Sequence, residues 1–169
     1  MMMADDYILN EHHKEEFPPA HTAEHLLNQL MMRMFGCERS RNAHVERKKS
    51  KISYILDHKP DRKEEKDIER QMNELIAADL PVSFEYVTRN ELEGMIMDAP
   101  EGSPESRLSM ERLPDDASET IRLVRIGDYD ICPCIGKHVR STAQIGRFEL
   151  LGTNWDNDTR SFRVRYKIV

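Results

Sequence analysis

The sequence predicts an α+β fold: an antiparallel sheet packed with two main helices, with a zinc site between the first helix and a C-terminal loop. Three observations carry that expectation. Apolar residues recur at helical spacing in segments 21–35 and 63–79. Apolar and polar residues alternate in several later segments, most cleanly from Phe162 to Ile168. Two pairs of metal-ligand residues, His21 with His25 and Cys134 with His138, each leave three residues between their members.

Taken in order, residues 1–17 are polar and weakly patterned, and Pro18 and Pro19 stop any earlier element. The first helix is expected from His21 to Phe35, with Leu27, Leu30, Met31 and Met34 on one stripe and Gly36 as its stop. A strand is expected over 43–57, where Ile52, Tyr54 and Leu56 alternate with Ser53, Ile55 and Asp57. A turn at Pro60 leads into the second helix, 63–79, whose stripe is Ile68, Met72, Leu75 and Ile76. Pro81 ends it, and Val82 to Val87 is a strand. Thr88 with Glu91 is a capping-box signature for a short helix over 89–97. Segment 98–118, rich in Pro, Ser, Gly and acid, reads as a long surface loop. Strands follow at 120–126, 145–152 and 162–168, with turns at Gly127–Asp128 and Asp156–Asp158.

At 169 residues the chain suits one domain with its own core. The expected division is an irregular lead-in over 1–19 and a single domain over 20–169. There is no apolar run of about 18 residues, so no membrane span is expected, and residues 1–10 lack signal-peptide character. Three cysteines without disulfide-framework spacing suit a reducing, cytoplasmic setting. The cluster Met31, Met32 and Met34 fits either a core or a dimer surface, so a homo-oligomer stays open.

On a helix, His21 and His25 share one face a turn apart. With Cys134 and His138 they make a full tetrahedral donor set for Zn²⁺. Four protein ligands favour a structural ion, because catalytic sites usually keep a position for water or substrate. A catalytic ion needs a ligand that steps aside or a fifth position, and both readings stay open. HTAEH is not the HExxH protease motif, since Thr22 stands where the catalytic Glu belongs and Glu24 is expected on another side of the helix. Cys132 and Cys134 are too close in sequence for an unstrained bridge, which argues against redox chemistry.

The net charge is −6, which excludes wholesale coating of nucleic acid. Its distribution is uneven: Arg39, Arg41, Arg47, Lys48, Lys49 and Lys51 form a basic strip, and acids gather at 61–69 and 98–116. Such a strip is either a solvated hairpin edge or a guide for a polyanion.

HTAEHLL from His21, then CIGKHV from Cys134, then TAQIG from Thr142 resemble the editing domain of alanyl- and threonyl-tRNA synthetases and its free-standing relatives. The resemblance covers roughly residues 20–152. It implies the second additional domain, with His21, His25, Cys134 and His138 holding zinc, and hydrolysis of the ester between a wrong amino acid and its tRNA. It implies a trans-editing deacylase whose partner is the tRNA acceptor end. Thr22, Gly136, Lys137, Thr142 and Gln144 become pocket candidates, and Arg39, Arg41, Arg47, Lys48, Lys49 and Lys51 candidate tRNA-backbone contacts. Lys137, Gln144 and Cys132 depart from the family pattern and bear on which amino acid is removed. The alternatives are a non-catalytic, zinc-stabilised tRNA-binding module and a hydrolase of small esters or amides.

Overall fold

The computed structural model describes residues 16–113 and 120–169. In chain order its main elements are α1 (Pro18–Phe35), β1 (Asn42–His44), β2 (Ser50–Ile55), α2 (Arg62–Ala77), β3 (Val82–Thr88), α3 (Arg89–Met97), β4 (Thr120–Ile126), β5 (Asp130–Pro133), β6 (Phe148–Asp156) and β7 (Ser161–Ile168). The fold is α+β with antiparallel strands. The strands form two sheets, ordered β1-β2-β7-β6 and β3-β4-β5. The expected lead-in falls almost wholly outside the described residues.

Helix α1 begins three residues earlier than the sequence predicts, at Pro18. The prolines do not exclude the helix; they open it, because the first turn needs no N–H from them and proline's φ is already helical. Gly36 closes it at φ +67°, its N–H bonding Met32 O. The helix is buried on several sides, by Ala23, Leu26, Leu27, Leu30 and Met31. Met31 and Met32 are buried, so the methionine cluster serves the interior. Its buried amides are satisfied: Tyr54 Oη donates to Asn28 Oδ1 at 2.7 Å, and Gln29 Nε2 donates to Asp130 Oδ1 at 2.9 Å.

The larger sheet packs against α1 and α2. Ile52 and Tyr54 on β2, and Phe162, Val164 and Tyr166 on β7, are buried, as their alternation predicts. Tyr166 stacks on Phe148 at 5.0 Å and donates its hydroxyl to Ala20 O at 3.0 Å, tying β7 to α1. Asp61 and Glu64 form a capping box at the start of α2. The strand expected over 43–57 is instead a hairpin: Ala43 pairs with Ile52, so 45–49 is its connection. The stretch is mostly charged and exposed, and it turns the chain, with Ser50 Oγ accepting from Glu46 N at 3.1 Å. Strand β6 starts at Phe148 rather than 145, because Thr142–Ile145 is a 3₁₀ turn closed by Gly146 at φ +104°. A Cβ on Gly146 would lie 2.8 Å from Val169 O.

The smaller sheet buries Ile121, Leu123 and Ile131 with Leu92 of α3 and Leu113 in a second cluster. The Thr88–Glu91 capping box forms as expected. Segment 98–113 is more ordered than a plain loop. It holds 3₁₀ turns at Pro104–Arg107 and Met110–Arg112, and Pro104 is buried.

Candidate metal centre

His21 and His25 project from the first two turns of α1, and the loop after β5 carries Cys134 and His138. The fold brings one ligand atom from each within 4.8 Å of the others. Ring centroids lie 4.2 Å apart for His21–His138, 4.5 Å for His25–His138 and 5.1 Å for His21–His25.

Each imidazole turns the same atom to the protein. His21 Nδ1 is 3.0 Å from Lys137 O, His138 Nδ1 is 2.9 Å from Thr22 Oγ1, and His25 Nδ1 is 3.6 Å from Asp130 Oδ2. That leaves Nε2 of every ring for the centre, the arrangement by which outer partners fix tautomer and ring direction in a metal site. His138 Nε2 is buried with no hydrogen-bond partner among the described residues. Cys134 Sγ lies 3.5 Å from His21 Nε2. A buried, unpartnered nitrogen beside a thiol fits a cation, and three nitrogens with one sulfur fit zinc.

The electrostatics of Cys134 and His138 suit ligation. Burial alone would raise the Cys134 thiol, but hydrogen bonds from His138, His21 and His25 bring it down to about 2, a thiolate ready to ligate. Burial holds His138 down at about 4, so the ring is neutral. Burial opposes the charged form of His25 as well, yet Asp130 and Cys134 raise it overall. Burial would raise Asp130, and the Arg39 guanidinium and His25 outweigh it, holding the carboxyl at about 2.

The ligand loop is shaped by backbone fits. A Cβ on Gly136 would lie 2.4 Å from His21 Cε1, so its missing side chain admits the first helix's ring. Arg122 Nε donates to Cys134 O at 2.6 Å, and its Nη2 donates to Gly136 O at 2.5 Å. Glu16 Oε1 accepts from Lys137 N at 3.1 Å.

The other candidates separate. Thr22 Oγ1, buried, holds His138 and accepts from Val139 N at 3.2 Å. Thr142 Oγ1 donates to Leu75 O and accepts from Leu80 N, both at 2.8 Å; it fastens the end of α2. Gln144 Oε1 accepts from Arg140 N at 3.0 Å. Lys137 is exposed, with its main chain bonded to His21 and Glu16. Lys48, Lys49 and Lys51 are exposed on the β1–β2 hairpin, and Arg47 lies 4.4 Å over the Phe17 ring. Arg41 is exposed and pairs with Glu38 at 3.5 Å. Arg39 turns inward instead: its side chain is 10% exposed and its guanidinium pairs with Asp130. A groove of about 630 Å³, lined by Cys37, Arg39, Arg41, Asn42, Ser53 and Ile55 among others, includes none of the four ligand candidates.

Two carboxylates escaped the sequence reading. Asp130 is fully buried behind His25. A charged residue at an inward position of a strand, four before Cys134, is the signal that points to it. Glu24 does not face away from the pair: its Oε1 lies 3.8 Å from His21 Nε2, and it is only 19% exposed. The i,i+3 spacing from His21 already put it on the ligand side.

The architecture is that of an antiparallel α+β domain in which an HxxxH pair on a helix meets a CxxxH pair on a loop to form a candidate metal site. Residues 121–162 match the family described as the threonyl and alanyl tRNA synthetase second additional domain. The chain is 26% identical over 137 residues to an alanine–tRNA ligase of Treponema denticola, covering 80% of this chain and 21% of that one. It is 30% identical over 134 residues to an alanine–tRNA ligase of Halorubrum lacusprofundi, covering 79% and 13%. It is 29% identical over 131 residues to the alanyl-tRNA editing protein AlaX-L of Pyrococcus horikoshii, covering 78% and 29%. These matches support an editing-domain assignment for the chain. It spans less than a third of the length of each of these relatives.

Proposed function

We propose that residues 20–169 form one editing unit that hydrolyses the ester of a mischarged tRNA of the alanine or threonine type, acting in trans in the cytoplasm. The observation that carries this reading is the convergence of His21, His25, Cys134 and His138, with Nδ1 of His21 and of His138 hydrogen-bonded to the protein and Nδ1 of His25 turned to Asp130 at 3.6 Å. The relative named alanyl-tRNA editing protein supports the trans mode. The three free cysteines suit a reducing compartment, and no described helix is long and apolar enough to cross a membrane.

His21, His25, Cys134 and His138 would hold zinc, which when bound supplies Lewis-acid polarisation of the ester carbonyl. The chain's own residues do the rest. Asp130 is buried and engaged by Arg39 and Gln29, so it orients His25 and takes no proton from solvent. Glu24 is the carboxylate within reach of both the donor set and water. Its Oε1 accepts a proton from the attacking water as the new carbon–oxygen bond forms. The same proton passes to the ribose oxygen as the ester bond breaks. Lys137 and the strip Arg41, Arg47, Lys48, Lys49 and Lys51 attract the acceptor-end phosphates, and binding weakens as salt rises.

Serine, glycine and alanine esters on alanine tRNA, and serine on threonine tRNA, are the substrates for the test. The zinc-loaded chain is expected to hydrolyse at least one, and His25→Ala none. Glu24→Gln is expected to lower kcat about 10²- to 10⁴-fold while zinc content stays at the wild-type level. Absence of turnover for every ester, with tRNA binding kept, would favour the non-catalytic tRNA-binding module.

A further inference from the structure

Phe84 and Tyr86 are large aromatics left 44% and 67% exposed. A lone exposed aromatic is ordinary, but these two sit at i and i+2 of β3 and so share one face of the strand. Strand β3 is an edge of the smaller sheet. Its other face carries Val87, which packs on the second core cluster, so Phe84 and Tyr86 are not turned toward that core. Phe84 stands instead beside the ligand set, with Tyr86 next to it on the same face. The Phe84 ring centroid is 6.5 Å from that of His138. Tyr86 lies opposite Arg122, whose guanidinium covers Phe84 at 4.5 Å while bonding the carbonyls of Cys134 and Gly136. Phe84 is thereby fixed in place by the residue that shapes the ligand loop.

Two exposed rings on one strand face, one of them held by Arg122 beside the candidate metal centre, make a surface for a flat partner. We infer that Phe84 and Tyr86 form a stacking platform for the terminal nucleobase of the acceptor end. The inference deepens the deacylase reading and rests on it. In an aminoacyl ester one ribose separates the scissile carbonyl from the base, so a base must lie close beside whatever holds the carbonyl. Stacking on aromatic side chains needs no particular base edge and contributes about 1–3 kcal/mol per base.

The test uses the zinc-loaded chain and an acceptor minihelix carrying 2-aminopurine at its 3′ end, a base whose fluorescence is quenched by stacking. Quenching on binding is expected, with Tyr86→Ala and Phe84→Ala each weakening affinity about 5- to 150-fold and Phe84→Tyr keeping it. Zinc content and circular dichroism report folding; if Phe84→Ala is unfolded, Tyr86→Ala, the more exposed position, decides. Binding without quenching overturns the platform and leaves the deacylase reading standing. Quenching without ester hydrolysis supports the platform and sinks the deacylase reading. No binding overturns both. A dimer by light scattering that Tyr86→Ala dissociates, with quenching unchanged, assigns the rings to a contact between copies and also overturns the platform.

Discussion

The two sheets divide the labour of this domain. The β1-β2-β7-β6 sheet buries Tyr54, Phe148, Phe162 and Tyr166 against two helices and offers the interior few polar groups. The β3-β4-β5 sheet buries a smaller cluster under one short helix, and its other face carries the buried Asp130, Arg122 and Phe84, with the loop of Cys134 and His138 following β5. Large aromatics hold the first region together. Buried charge and directed hydrogen bonds shape the second. Helix α1 belongs to both, with His21 and His25 near its start and Leu30 and Met31 in the main core. The candidate site therefore lies where the apolar cluster is smaller and is anchored on a helix buried in the main core.

The largest effect should come from the aromatic side of that division. Tyr166→Ala removes a fully buried stacked ring and its bond to Ala20, and is expected to cost about 4 kcal/mol of stability in urea denaturation. Leu123→Ala, in the smaller sheet, should instead accelerate hydrogen exchange in β4 and β5 before β7. Uniform acceleration across both sheets would break the division. Next, zinc at a hundred times its Kd should stabilise the chain by about 2.7 kcal/mol, and His138→Ala should abolish that gain in thermal melts. A somewhat smaller change is expected from Asp130→Asn, which loosens His25 and should weaken zinc about 10- to 100-fold in chelator competition. Because Arg39 then loses its counter-charge, Asp130→Asn with Arg39→Met is the companion: it should recover stability but not affinity. The smallest, Asp61→Ala at the start of α2, should cost about 1 kcal/mol in the same denaturation and leave zinc affinity unchanged.

Much of the first region was readable in the chain. Phe162, Val164 and Tyr166 alternate strictly because one side of β7 faces a core, and periodicity reports that directly. The Thr88–Glu91 box is a local signal for a local structure. The ligand candidates were readable for a different reason: His and Cys at fixed spacing carry chemistry that few other patterns mimic. Direction was harder to read. Arg39 has the same charge as Lys48, but a partner 91 residues away turns it inward. Asp130 gains its meaning from the ring it faces, a tertiary fact, whereas Glu24 was legible in its i,i+3 spacing from His21. The break between β1 and β2 depends on which residues find a partner strand, and one segment cannot report that alone. The prolines before α1 misled because the same residue both ends and begins helices.

Thr22 spans more than a hundred residues to touch His138 and Val139, and Arg122 and Glu16 fasten the same loop from other directions. These fastenings are bonds between protein groups that do not use the four ligand atoms, whereas a zinc finger relies on its metal to fold. Chelation should therefore empty the pocket without melting it, and the protein should exchange its metal as a folded body, reloading without having to refold.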